Sequence, residues 1–436
     1  MRCDVVVIGG GPAGLAAASA AAAHGSVAVV DLAARPGGQF YRRPADVPPT
    51  PLAARCAARG VTMLTGRRVF LVESGFTVHT DGEPVTADAV VIATGAHDRP
   101  VPFPGWDLPG VLTAGGAQAL LKGSRVLPGR RIVVAGTGPF LLPVATGLAS
   151  AGARVAGVFE ANSPARFARH AGVVWRHPDK LAEAARHLAV LARHRVPVRN
   201  RHTVLAAHGT DGVTAVTVAK VDRDWRPVKG TEWRIDCDTV AVGCGFVPQI
   251  DLGTALGCAT DLVAGTAVLR VDGRQATTVP GVFAAGEVTG IGGVRLSLVE
   301  GMIAGRAASG VDVPVRLERQ RAGHRAFAAA LADVYPVRKG WLGNLTGDTL
   351  LCRCEEVDHH TVRAAVTELG ARDARAVKLL TRAGMGWCQG RMCGDAVACA
   401  VADLTGRAPD PTDMTRRMLA QPVRLGDLAN DTLEDR

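Results

Sequence analysis

The first apolar run of the chain, DVVVI at residues 4–8, is short, continuous and β-branched. That pattern suits a parallel strand buried on both faces. A tight glycine turn follows. A run of small residues from Ala13 to His24 then predicts a helix, and a second apolar run ends at Asp31. The order strand, turn, helix, strand returns at residues 130–161, RRIVVAGTGPFLLPVATGLASAGARVAGVFEA. Two further apolar runs lead into glycine turns: ADAVVIATGAHDRP at 87–100, and VPGVFAAGEVTGIGGVRLSLVEGMIAG at 279–305, whose last part predicts another helix. Residues 163–196 read as a mostly helical excursion, with Leu181, His187, Leu188 and Leu191 on one face. That face packs onto its own domain or docks a partner. Residues 311–345 read as a linker with an amphipathic stretch, and helices are expected at 359–370 and from about Asp395.

The first turn carries G-x-G-x-x-G at Gly9, Gly11 and Gly14, with Pro12 and Ala13 inside it. The first glycine permits the turn, the second lets a pyrophosphate approach the backbone, and the third lets helix and strand pack closely. The helix N-terminus then points at the phosphates. Asp31 stands 17 residues past Gly14, where a carboxylate accepts from ribose hydroxyls and repels a 2′-phosphate. The second turn keeps Gly136 and Gly138, but Leu141 replaces the third glycine and Glu160 ends the second strand. A leucine there pushes helix and strand apart. The expectation is a retained fold whose nicotinamide chemistry is altered or lost. If a nucleotide binds, Glu160 favours NAD or another adenine nucleotide over NADP.

Near the C-terminus, LCRCEE and GWCQGRMCGD place four cysteines as C-x-C, a gap of 33 residues, then C-x4-C. They are Cys352, Cys354, Cys388 and Cys393. Four thiolates on two short loops hold one iron–sulfur cluster or one zinc. C-x-C is a poor zinc knuckle, because zinc ribbons favour C-x2-C. The other six cysteines (Cys3, Cys56, Cys237, Cys244, Cys258 and Cys399) stand singly in apolar or glycine-rich contexts and read as small buried hydrophobes. His359 and His360 read as a solvated helix start.

Composition narrows the classes. At 436 residues the chain needs two or three cores. The net charge of +10 comes almost wholly from scattered arginines with no block of like charge, so nucleic-acid binding is disfavoured. Ten cysteines in this length do not make a secreted disulfide framework. Asp4 interrupts the only candidate signal segment, and no window approaches a membrane span. A reduced, cytoplasmic location is expected. No Ser-His-Asp order, metal triad or paired carboxylates stand out, so no catalytic residue is assigned.

The motifs over residues 1–310 resemble the two-dinucleotide-fold flavoproteins related to thioredoxin and glutathione reductases. That resemblance implies an α/β fold with two Rossmann-like domains and a bound FAD. It implies FAD contacts at Gly9, Gly11, Pro12, Ala13, Gly14 and Asp31, at Gly38 and Gln39 in RPGGQFYRR, at Val69, and at Thr94 and Gly95. It adds Gly286 and Glu287, and Gly293 and Val294 where the last helix aims N–H groups at the flavin. The redox dithiol of those reductases is missing, which argues against a disulfide mechanism. The cysteine segment resembles the bacterioferritin-associated-ferredoxin type of [2Fe-2S] domain, and all four ligand positions match.

With both parts present, the whole chain resembles the large α subunit of heteromeric amino-acid and opine dehydrogenases, including proline, hydroxyproline and opine dehydrogenases and the hydrogen cyanide synthase complex. The resemblance implies an FAD domain at 1–115 and 245–310, a second nucleotide domain at 116–244, and a small helical [2Fe-2S] domain with its tail at 346–436. It implies a flavin-dependent β subunit that oxidises the CH–NH or CH–NH2 bond, with room for a small ferredoxin-like subunit and an FMN at a subunit interface. Two other readings stand beside it: a free-standing NAD(P)H-dependent reductase that feeds a ferredoxin-type acceptor, and a redox-sensing or scaffold subunit.

Overall fold

A computed structural model describes residues 1–410, 412, 414, 419–426 and 428. The chain forms two compact units. Met1–His97 and Val247–Ala328 make the first, joined by the described residues from 419 onward. Asp98–Phe246 and Ala329–Met414 make the second.

The first unit is built on a seven-stranded sheet. Its strands run in the order Thr62–Thr65, Val27–Asp31, Arg2–Ile8, Val85–Ile92, Thr77–Thr80, Val69–Val72, and Val282–Ala284 pairs with Val85–Ile92. The opening run lies between two parallel neighbours, Val5 to Ile8 matching Val27 to Val30 on one side and Ala89 to Ile92 on the other. Val5 and Val7 enter one apolar cluster with Leu15 and Ala17 of the helix Pro12–Ala21. Val6 and Ile8 enter the opposite cluster with Val30, Ile92 and Leu252. Both faces are covered, so the sequence shows a solid apolar run instead of alternation.

The alanine helix Pro12–Ala21 packs closely on the helix Gly293–Ala308. A Cβ at Gly301 would collide with the carbonyl oxygen of Ala13, and one at Gly305 with that of Ala17. The small residues on both helices therefore answer one packing requirement.

The second unit holds a five-stranded parallel sheet, ordered Val198–Asn200, Arg154–Glu160, Arg131–Gly136, Thr239–Gly243, Val111–Thr113. An antiparallel sheet of His202–His208, Ala215–Lys220 and Trp233–Asp236 accompanies it. Because Val111–Thr113 pairs with Thr239–Gly243, the second unit starts at Asp98, upstream of the boundary expected near residue 115. Of the helical excursion, Pro178–Arg193 is a regular helix. His187 hydrogen-bonds Thr146 at 3.0 Å and Leu191 is buried, while Leu181 and Leu188 remain exposed.

The expected linker contains a 20-residue helix, Val315–Val334, and a short 3-10 turn, Lys339–Asn344. The cysteine-bearing segment belongs to the second unit. It has a β-ribbon of Leu350–Cys352 with Val357–Asp358, then helices His359–Thr367, Ala374–Thr381 and Gly394–Thr405. Leu351, Val362, Val377, Val397 and Val401 form its core. Asp358 caps the first of these helices by accepting from Thr361 N at 2.7 Å, so His359 and His360 sit in a helix start as the sequence reads. The end of the QPVRLGDLA tail lies outside the described residues. Among the described residues no helix is long and apolar enough to cross a membrane.

Candidate functional site

Three separated segments of the first unit converge on the turn Gly9–Gly14. Gly9 has φ +107°, which an L side chain rarely adopts, and a Cβ there would collide with the carbonyl of Ala93. That places the Thr94–Gly95 turn beside the glycine loop. Gly37 N donates to Gly10 O at 2.7 Å, and a Cβ on Gly38 would lie 2.9 Å from Gly11 Cα. A Cβ on Gly286 would lie 2.7 Å from Ala13 Cβ. Gly11, Ala13, Gly38 and Gly286 thus crowd one backbone cradle, a shape that suits a pyrophosphate. Thr94 Oγ1 is turned away and donates to Gln249 O at 2.6 Å. Gln39 is exposed, and its amide oxygen accepts from Arg42 at 3.0 Å. Val69 is buried and paired with Thr80 in the sheet.

Asp31 closes the second strand with a half-buried carboxylate. One oxygen accepts from Gly10 N at 2.7 Å and the other from Ala33 N at 2.8 Å. Burial raises its pKa, and those two N–H groups oppose the shift. A carboxylate offers about four acceptor sites, so each oxygen keeps one for a ribose hydroxyl.

The A-G-E turn is held from behind. Buried Glu300 accepts from Gly286 N at 3.0 Å and Thr289 Oγ1 at 2.8 Å with one oxygen. Its other oxygen takes the Arg325 guanidinium at 2.9 and 2.7 Å. Gln275 joins the network, accepting from Arg321 at 3.1 Å and donating to Ala284 O at 2.8 Å. Glu300 is therefore a positioning residue. Glu287 accepts from Gly293 N at 2.9 Å, so its carboxyl occupies the first N–H of the helix Gly293–Ala308.

Burial pushes the Glu287 pKa up from 4.5 to about 7, against the pull of the Gly293 and Gly292 N–H groups. A carboxyl with a raised folded-state pKa contributes stability below its unfolded value and loses it as pH rises through the folded value. In the flavin-free protein, the unfolding midpoint of the wild type should fall relative to Glu287→Gln as pH rises from 4.5 through 7. Parallel curves for the two proteins in a thermal melt series would refute this.

In the second unit the glycine loop is retained and Leu141 is fully buried. The expected separation of helix and strand is absorbed by a glycine on the neighbouring strand: a Cβ on Gly243 would lie 3.3 Å from Leu141 Cδ2. Glu160 is only 7% exposed. Its Oε1 accepts from Thr137 Oγ1 at 2.7 Å and Asn162 N at 2.8 Å, and its Oε2 accepts from Gly138 N at 2.7 Å. Burial raises its pKa despite these donors.

The four cysteines come together in two pairs. Cys354 Sγ and Cys388 Sγ are 3.5 Å apart. Cys393 hydrogen-bonds Cys352, which also accepts from Gly384 N at 3.4 Å. The Cys393 hydrogen bond is the main cause that holds the Cys352 thiol down to about 6. Cys352 and Cys393 are buried, Cys388 is half-buried and Cys354 is exposed. Gly386 leaves room for Cys354, since a Cβ there would lie 2.5 Å from that side chain. Four thiols on these two short segments can hold one [2Fe-2S] centre, which takes two thiolates on each iron. Cys237, Cys244 and Cys399 lie elsewhere, with burial pushing their thiols up to about 11, 12 and 12.

Several contributors were not legible in the sequence. Arg325 and Gln275 lie in segments without a motif, and Gly243 supports a helix about a hundred positions earlier in the chain, with no local cue to the pairing. Gly384 and Gly386 had a signal, the glycine-rich AGMGWC run.

Residues 3–307 match the family described as pyridine nucleotide-disulphide oxidoreductase, which implies FAD. Residues 350–402 match the BFD-like [2Fe-2S] binding domain, which implies a [2Fe-2S] cluster. Hydrogen cyanide synthase subunit HcnB of Pseudomonas aeruginosa is 34% identical over 93% of this chain and 94% of that protein. An opine oxidase subunit from Agrobacterium tumefaciens is 33% identical over 98% of this chain and 91% of that protein. The crystal structure of L-proline dehydrogenase from P. horikoshii shares the fold, with a TM-score of 0.70 at 20% identity over 98% of this chain and 79% of that one. The chain belongs to the pyridine nucleotide-disulphide oxidoreductase family, as a flavin-dependent oxidoreductase that also carries a BFD-like [2Fe-2S] domain.

Proposed function

We propose that the chain is the α subunit of a heteromeric amino-acid dehydrogenase, in which a separate flavin-dependent β subunit oxidises the C–N bond of an amino acid such as proline, hydroxyproline or an opine. The observation that carries this reading is one chain holding a flavin cradle and a four-thiol cluster site. Full-length likeness to HcnB and to the opine oxidase chain, both subunits by name, supports it.

FAD supplies two-electron chemistry when bound, and a [2Fe-2S] cluster passes electrons singly. Every other part falls to the protein. The backbone at Gly9, Gly11, Pro12, Ala13, Gly14 and Gly38 holds the pyrophosphate, and Asp31 the adenosine ribose. The backbone of Thr94, Gly95 and Gly286, with Glu287 and the N–H groups of Gly293 and Val294, would complete the contacts to FAD. Val69 offers its backbone and Gln39 its amide to the outer parts of the ligand. Cys352, Cys354, Cys388 and Cys393 would hold the cluster, two thiolates to each iron. The exposure of Cys354 lets the cluster edge reach an acceptor. A reducing compartment such as the cytoplasm suits ten cysteines with no disulfide among the described residues.

Co-expression with a flavin-dependent partner tests the assignment. The copurified complex should reduce an artificial dye with an amino acid or opine as donor, and the isolated chain should not. An isolated chain that oxidises such a donor at the rate of the complex would sink the proposal.

A further inference from the structure

Dinucleotide folds bind their ligand in the crevice outside the carboxyl ends of the parallel strands. In the second unit those ends are Gly136, Glu160 and Gly243. The residues that follow the last two, Ala161 and Cys244, belong to a buried apolar cluster with Trp225, Trp341 and Ala396, and Cys399 packs against it. Ala396 and Cys399 lie on the helix Gly394–Thr405, which begins one residue after Cys393. The ion pair of Arg99 with Asp395 at 3.1 Å fixes the first turn of that helix. The iron–sulfur module therefore fills the place where a nicotinamide would enter. Between Ala135, Val242, Cys244, Trp225 and Trp341 there is a void of only about 30 Å³, room for a water.

The ribose end is closed as well. A ribose diol donates two hydrogen bonds, one to each carboxylate oxygen. Asp31 keeps an acceptor site on each oxygen, since each accepts one backbone N–H. On Glu160 both sites of Oε1 are taken, by Thr137 Oγ1 and Asn162 N. Asn162 is itself pinned: its amide donates to Thr137 Oγ1 at 2.8 Å and to Pro336 O at 2.9 Å, and accepts from Trp225 Nε1 at 3.3 Å. A ribose would have to displace this buried network.

We infer that the second dinucleotide fold has become the seat of the iron–sulfur module and takes neither NAD(H) nor NADP(H). It follows that the chain exchanges no hydride with a pyridine nucleotide. This goes beyond the proposed function, because it holds whatever donor the complex oxidises.

The purified full chain with FAD bound is the material for the test. Anaerobic addition of millimolar NADH or NADPH should leave the oxidised flavin band unchanged from the buffer control, while dithionite bleaches it. Equilibrium dialysis against NADH and NADPH should give no saturable binding. Saturable binding of either nucleotide, with or without bleaching, overturns the inference. An amino-acid donor that fails to reduce the complex would count against the proposed function and leave this result untouched.

Discussion

Replacing Cys388 with Ser should abolish the iron–sulfur absorption and the EPR signal of the reduced protein while FAD stays bound at the wild-type ratio. Cys388 faces Cys354 at 3.5 Å, and its loss removes one of the four thiolates that a [2Fe-2S] cluster requires. The substitution is also milder than one at Cys352 or Cys393. Cys352 and Cys393 belong to the apolar core of the module, whereas Cys388 is half-buried and outside that core. The flavin cradle lies wholly in the first unit and all four cysteines in the second. Folding and flavin retention should therefore survive when iron falls to background. Metal analysis and the flavin spectrum of one preparation read both quantities. Loss of FAD with unchanged iron would overturn the assignment, and zinc in place of iron would return the site to a structural staple.

The second large effect is expected at Glu300, which touches no reacting group in the proposed function. Glu300→Ala removes the acceptor of two hydrogen bonds from the A-G-E turn and leaves the Arg325 guanidinium without its buried partner. Arg325 is itself 39% exposed, so the loss sits at the low end of the range for buried pairs, about 3 kcal/mol. For a unit of this size that lowers the unfolding midpoint by roughly 10 °C. FAD content should fall with it, because Gly286 and Ala13 are in contact only while the turn is held. Glu300→Gln should recover part of the loss: its single carbonyl oxygen can serve Arg325 or the turn, but not both. Equal melting of all three proteins at full FAD occupancy would show that the network does not position the turn.

The effect of Glu300 also marks the limit of sequence reading. The A-G-E turn and the G-x-G-x-x-G motif are visible because the chemistry acts locally: a backbone that must approach a phosphate needs glycine at that position, whatever surrounds it. The acid itself is visible in LVEG, and it reads as positional. Its partner Arg325 is not, since nothing in ERQRAGHRAFAAALADVY separates that arginine from its neighbours. The same holds for Leu141. Taken alone it predicts a widened gap between helix and strand; Gly243, on a strand added to the sheet much later in the chain, removes the clash. The expected linker misleads for another reason. Its mixed polar and alanine composition suits a loose connector as well as the helix Val315–Val334, and only packing of Leu317 with Val299 and Ile303 tips the balance.

By itself the sequence determined the α/β class, the two dinucleotide motifs in their order, and the four thiols of the cluster site. Each of these is a requirement on a few neighbouring residues, and residue type at fixed spacing records it. Tertiary structure alone decided how the thiols pair and which of them face solvent. It also decided that Glu160 is spent on Thr137, Gly138 and Asn162, and that Trp225, Trp341 and Ala396 close the crevice beside it. Those outcomes depend on contacts between segments separated by tens to hundreds of residues. No local pattern encodes them, because what a buried acceptor is free to bind depends on which donors the rest of the fold has already brought to it.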